Sequence, residues 1–215
     1  MLAVDNKIVD SFLSSIDWEK VKTCREFSWY NHDCVDLYTN QRLFTICAGT
    51  TKMCIIPQNT DYIIKFPLRH VNWGCIQTIK YAPGPISYDY CNTELLYYNL
   101  VKESNLEAFF PETIRYPFKD YPIYIQEKCY DMDHTMREWA GVASSDQNGW
   151  YSEFHPLWID SAINRYGRTQ LKRLFEFLSL HEICDMNDEN YGFSSIDNRP
   201  LLIDFSGFYE EDECE

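Results

Sequence analysis

Ile183-Cys-Asp-Met-Asn-Asp-Glu-Asn-Tyr-Gly192 and Pro200-Leu-Leu-Ile-Asp-Phe-Ser-Gly207 are the two stretches whose reading decides the fold. In the first, a loop from Asp185 to Gly192, Asp185 and Asn190 stand five positions apart just after a helical pattern. Turn chemistry at Asp197-Asn-Arg-Pro200 then returns the chain like a hairpin, and the apolar strand Leu201-Leu-Ile203 delivers a second carboxylate, Asp204. Phosphoryl transfer from a nucleotide needs such parts. One carboxylate positions an acceptor hydroxyl, while another carboxylate and a neutral amide oxygen hold Mg2+ against the phosphates, because hard cations take oxygen ligands.

The helix before this loop is expected from Thr169 to Leu180, where Leu171, Leu174, Phe175 and Leu178 recur at i, i+3, i+4, i+7. Further upstream, Leu43–Cys47, Lys52–Ile56 and Tyr62–Phe66 are three short β-rich runs. The turn sequences Ala48-Gly-Thr-Thr51 and Pro57-Gln-Asn-Thr60 separate them, so they read as an antiparallel meander. A helix is expected from about Asn92 to Lys102, with Asn92 or Thr93 near its N-cap. Ile123-Tyr-Ile125 reads as a further strand that ends at Gln126-Glu127-Lys128. The first forty residues carry one short amphipathic stretch (Ile8, Phe12, Leu13, Ile16), and the span from Asp131 to His155 shows no assignable period.

At the level of motifs the sequence resembles the protein-kinase-like superfamily. Asp185 to Asn190 has the D-x-x-x-x-N spacing of the kinase catalytic loop, and Asp204-Phe-Ser-Gly207 is similar to the D-F-G metal motif with one residue inserted. Asp204 follows Asn190 by fourteen residues, in the family's order. Tyr62-Ile-Ile-Lys65 resembles the V-A-I-K strand and stands third in the meander. The closest resemblance is to short kinase-like proteins of phages and bacteria, with a late D-x-x-x-x-N-x-G and a terminal I-D-F/Y-x-G.

This resemblance implies an α+β fold of two lobes, an N-lobe of antiparallel sheet plus helix and an abbreviated helical C-lobe. The corresponding division is an N-terminal extension (1–42), the N-lobe (43–127), the C-lobe (128–208) and an acidic tail (209–215). It implies ATP and Mg2+ as cofactors. Lys65 and Glu94 would hold the phosphates, and Gly49, Thr50 and Thr51, with Lys52 beside them, would approach them as the glycine-rich loop does. Gln126 and Glu127 would form the hinge between the lobes. Asn190 and Asp204 would bind the metal, and Asp185 would orient the acceptor hydroxyl. Two departures stand out: Ile183-Cys184 replaces the usual His-Arg, and eight residues follow Gly207, with no activation segment expected.

Blander readings stand beside these. Lys65 could be a solvated strand-edge lysine. Glu94 could sit in a first helical turn simply because the macrodipole favours acids there, with Glu103 as the alternative partner. Asp185 and Asn190 could form an Asx-capped turn, and Asp204 could simply end a strand. His134, His155 and His181 read as structural or exposed, Cys184 as a small core residue, and the aromatics from Trp139 to Trp158 as packing.

Composition narrows the classes. The 215 residues are 45% hydrophobic and 16% aromatic, enough for a packed core, and show no internal repeat. With 19 basic against 33 acidic residues the net charge is −14, which disfavours a duplex nucleic acid or an anionic membrane surface as partner. Nine cysteines without a CxxC pair give little support to a zinc site and read as reduced thiols. No apolar signal segment opens the chain, and no stretch has the length of a membrane span, so the expected location is cytoplasmic, a host cytoplasm if the protein is virus-encoded. The expected function is an ATP/Mg-dependent phosphotransferase whose acceptor is an unidentified protein or small molecule. The alternative is a pseudokinase or acidic interaction protein that binds a partner without catalysis.

Overall fold

The computed structural model describes residues 2–16, 44–48, 52–67, 90–132, 154–181, 183, 190–203 and 205. These form a mixed α+β chain that divides into two units, Met1–Leu95 with Thr113–Gln126, and Leu96–Glu112 with Glu127–Glu215. Among the described residues no helix is long and apolar enough to cross a membrane.

The first unit begins with α1 (Asn6–Ser15), whose N-cap Asp5 accepts hydrogen bonds from the Lys7 and Ile8 amides at 2.9 and 3.3 Å. A five-stranded sheet follows, in the order β1-β2-β3-β5-β4: β1 (Phe44–Ala48), β2 (Lys52–Pro57), β3 (Tyr62–Pro67), β4 (Thr113–Phe118) and β5 (Tyr121–Glu127). The β1–β2, β2–β3 and β4–β5 pairs are antiparallel, so the meander expected from the turn residues is present.

Because side chains alternate along a strand, the sheet sorts its residues by parity. Met53, Ile55, Tyr62, Ile64, Phe66, Tyr116, Phe118, Ile123 and Ile125 form one core with Val9, Phe12, Leu13 and Ile16. The other parity carries Lys52, Cys54, Lys65, Thr113 and Gln126. Two tyrosines tie α1 to the sheet. Tyr62 donates to the Asp5 carbonyl at 3.5 Å and Tyr116 to the Asp10 carboxylate at 2.8 Å. Burial, with the Asp10 carboxylate beside it, pushes the Tyr116 hydroxyl up to about 12, so it stays a donor.

The helix α2 (Tyr90–Glu103) starts two residues before the expected cap, which moves Asn92 and Thr93 inside its first turn. The reason is its buried face: Cys91, Glu94, Tyr98 and Val101 recur at helical spacing and are all buried, so the face extends back to Cys91.

The second unit takes α2 from Leu96 onward, a 3-10 turn at Glu107–Phe109, β6 (Cys129–Asp131), α3 (Pro156–Tyr166), α4 (Arg168–Leu180), β7 (Tyr191–Ser194) and β8 (Pro200–Leu202). Its helices are accompanied by a three-stranded antiparallel sheet, β6-β7-β8, where the sequence led one to expect a mainly helical lobe with a strand at Leu201–Ile203. The expected loop up to Gly192 therefore ends two residues earlier, at Asn190, and the last strand takes Pro200 and stops at Leu202. Pairing explains both shifts, since Tyr191 stands opposite Leu202 and Phe193 opposite Pro200.

Trp158 is the centre of this unit. It is fully buried, stacked on Phe154 at 4.7 Å, and its indole N–H reaches the carbonyls of Gly192 and Leu201 at 3.1 and 3.3 Å. Since Gly192 and Leu201 are paired across β7 and β8, one donor clamps both strands. The expected packing role is thus correct for Trp158. Gly167 joins α3 to α4 at φ +82°, a backbone conformation that a side chain strains.

Leu13→Ala should cost about 2–5 kcal/mol, the range for emptying a fully buried leucine site, read by denaturant unfolding. In the second unit the Asp197 carboxyl is raised by burial but lowered more by Arg199 and Arg165, so it lies below the ordinary carboxylate range. Its stabilisation should be complete above the unfolded value of about 3.9 and vanish as pH falls through the lower folded value. Unfolding titrations should therefore show a stability gap between wild type and Asp197→Asn that is constant near neutrality and closes in acid.

Candidate functional site

The polar parity of the first unit's sheet gathers around one carboxylate. β3 lies in the middle of the strand order, and Lys65 on it is 3% exposed, so it is no solvated edge lysine. Its ammonium lies 3.1 and 3.0 Å from the two oxygens of Glu94. Glu94 is fully buried and stands in the second turn of α2, beyond the first-turn positions that the macrodipole would favour. The ion pair, rather than the helix end, accounts for an acid there. Glu103, the other candidate partner, is exposed at the end of the helix.

Two further side chains complete the cluster. Lys52 on β2 donates to Glu94 Oε1 at 2.6 Å and is itself buried. Gln126 on β5 donates from Nε2 to Glu94 Oε2 and to Thr113 Oγ1, each at 3.0 Å. Its amide orientation follows from chemistry: a carboxylate only accepts, so the NH2 end must face Glu94. Gln126 Oε1 is buried and, among the described residues, has no hydrogen-bond partner. A neutral donor and two ammoniums thus surround one carboxylate. Burying such charges is unfavourable unless they are paired and hydrogen-bonded, and this geometry meets that condition for Glu94.

Lys52 entered the sequence reading as a side chain beside the glycine loop that could approach a phosphate, and not as a partner of Glu94. Its role as a second partner of Glu94 was visible in the alternation of β2, which puts Lys52 and Cys54 on the face that Lys65 shares.

The remaining sequence candidates fall elsewhere. Gly49, Thr50, Thr51, Asp185 and Asp204 lie outside the described residues, as do His134 and Cys184. Glu127 and Asn190 belong to the second unit. The Glu127 carboxylate accepts from Ser194 Oγ at 2.5 Å, from the Glu112 amide at 3.3 Å and from Arg199, while Arg199 also pairs with Asp197. Asn190 is buried, and its carbonyl accepts from the Ile203 amide at 2.8 Å, which extends the β7–β8 pairing by one step to the residue that precedes Asp204 in sequence. Phe205 is fully buried and meets Phe110 edge-on at 4.9 Å. His155 is structural: its ring nitrogen accepts from the Leu157 amide and caps α3. Among the described residues no three His, Cys, Asp or Glu side chains group as a metal site.

Replacing Glu94 by Gln should be among the most damaging changes in the first unit. It keeps the volume but leaves two buried ammoniums without their carboxylate, a loss of about 3–5 kcal/mol. Denaturant unfolding of Glu94→Gln against wild type measures it, and a loss under 1 kcal/mol would show that the cluster contributes little to the fold.

No known protein-family model matches this sequence and no curated protein matches it, so the chemistry of the site rests on its own residues.

Proposed function

We propose that this chain is an ATP/Mg-dependent phosphotransferase of protein-kinase-like, two-lobed fold. The observation that carries the reading is the buried Lys65–Glu94 ion pair, with the lysine on the third strand of an antiparallel meander and the glutamate on the helix that follows. A lysine so held has its ammonium fixed in direction and charge, which is what a phosphate-binding group needs. The residues present fit a nucleotide: Lys65 supplies a cationic donor for phosphate oxygens.

For the metal, Asn190 offers an amide oxygen and Asp204 a carboxylate, the hard donors that Mg2+ takes. Bound there, Mg2+ would neutralise charge developing on the transferred phosphoryl group. Asp185 would accept a hydrogen bond from the acceptor hydroxyl and so hold it in line. Glu94 acts at one remove, as the positioning residue that keeps Lys65 from swinging into solvent. The alternative of a partner-binding pseudokinase would leave the fold and the Lys65–Glu94 pair in place without turnover.

The test is calorimetric and kinetic. ATP with Mg2+ should bind the full chain with a stoichiometry near one, and Asp204→Ala should abolish the Mg2+-dependent part of the affinity. Asp185→Ala should leave binding within about twofold while phosphoryl transfer drops by at least 100-fold, in the range of a lost catalytic proton acceptor. Nucleotide binding without turnover in wild type would select the pseudokinase reading, and no nucleotide binding at all would end the phosphotransferase reading and leave the partner-binding protein.

A further inference from the structure

The Lys65–Glu94 pair explains one buried lysine, and the fold buries two. β2 and β3 run antiparallel with Cys54 opposite Lys65 and Lys52 opposite Pro67, so the two lysines stand two rows apart on one face of the sheet. At that diagonal separation long side chains can meet. They do so on one oxygen: Lys52 lies 2.6 Å and Lys65 3.1 Å from Glu94 Oε1. Bringing two ammoniums onto a shared oxygen inside a protein sets like charges against each other, at a position where desolvation already disfavours each.

Glu94 does not need both lysines to stay in place. Gln126, a neutral donor, holds its other oxygen at 3.0 Å and is itself fixed to Thr113. The carboxylate therefore keeps support if an ammonium turns toward a ligand, which the flexible four-carbon stem of lysine allows. Two convergent cations over a carboxylate with independent support suit a ligand carrying several adjacent negative charges.

On the nucleotide reading of this same site, we propose that Lys52 is a second phosphate-binding residue, so that Lys52 and Lys65 together form a two-point seat for a chain of phosphates. Lys65 takes one phosphate group and Lys52 its neighbour, with Glu94 positioning both and Gln126 holding Glu94. The ligand class is a nucleoside di- or triphosphate, or any linear polyphosphate, and a monophosphate reaches only one of the two cations.

Isothermal titration of the full chain with ATP, ADP, AMP and inorganic tripolyphosphate, for wild type, Lys52→Met, Lys52→Arg and Lys65→Met, tests it. Lys52→Met should weaken ATP and tripolyphosphate by about tenfold or more, the worth of one charge-assisted hydrogen bond, and leave AMP within about twofold. Lys52→Arg should restore most of the loss. A second measurement needs no variant: tripolyphosphate should slow amine-reactive labelling of both Lys52 and Lys65, read by peptide mass spectrometry. Wild type that binds ATP while Lys52→Met binds it equally well, with Lys52 labelling unchanged by tripolyphosphate, overturns the second lysine and leaves the nucleotide reading standing. Tripolyphosphate binding through both lysines without any ATP binding does the reverse, and a chain that binds neither overturns both.

Discussion

One carboxylate sets the terms for the polar half of the first unit. Glu94 is fully buried, and an ionised acid there is tolerable because Lys52, Lys65 and Gln126 donate to it. Those donors come from β2, β3 and β5, so the strand order must bring these three strands side by side, as it does. The helix must begin early enough to place Glu94 in its second turn. A change in register of one residue on any of these strands would turn its donor to the apolar face and leave charge unpaired.

The apolar half answers to the same alternation. Residues between the donors, such as Met53, Ile64 and Ile125, point the other way and pack on α1. The sheet is therefore amphipathic in an unusual sense: one face is an ordinary core and the other is buried but charged. Apolar burial on the α1 side offsets the cost of dehydrating the cluster, since the cluster alone is weak evidence for stability. In the second unit a comparable economy appears around Trp158, where one indole donor and one ring stack hold two strands to a helix.

What the sequence made legible, and what it hid, follows from these interactions. β1 to β3 were readable because β-branched runs alternate with clear turn residues. The Lys65–Glu94 partnership was an implication of the family resemblance, which pairs a lysine on the third strand with an acid on the helix that follows. β4 was missed because Pro117 interrupts Thr113–Phe118, and a proline argues against a central strand. It is tolerated here because β4 is last in the strand order, and Pro117 faces Pro122 of β5. α3 was missed although its punctuation was present, with Pro156 at its first position and Gly167 just past its end. Its period was present as well, since Ile159, Ala162, Ile163 and Tyr166 recur at i, i+3, i+4, i+7, and the sequence reading passed over it.

The two residues read as a hinge illustrate how far position outruns composition. Gln126 and Glu127 are adjacent on β5 and both buried, yet strand alternation sends them to different networks. Gln126 supports Glu94 and Thr113. Glu127 accepts from Ser194 and Arg199, and so anchors the β7–β8 hairpin whose ends are Asn190 and Ile203. An exchange of these two side chains would preserve composition and charge but place a carboxylate against Glu94, where like charges repel, and an amide against Arg199, where a charge would lose its counterion. The order Gln then Glu is thus required by electrostatics on both sides of the strand.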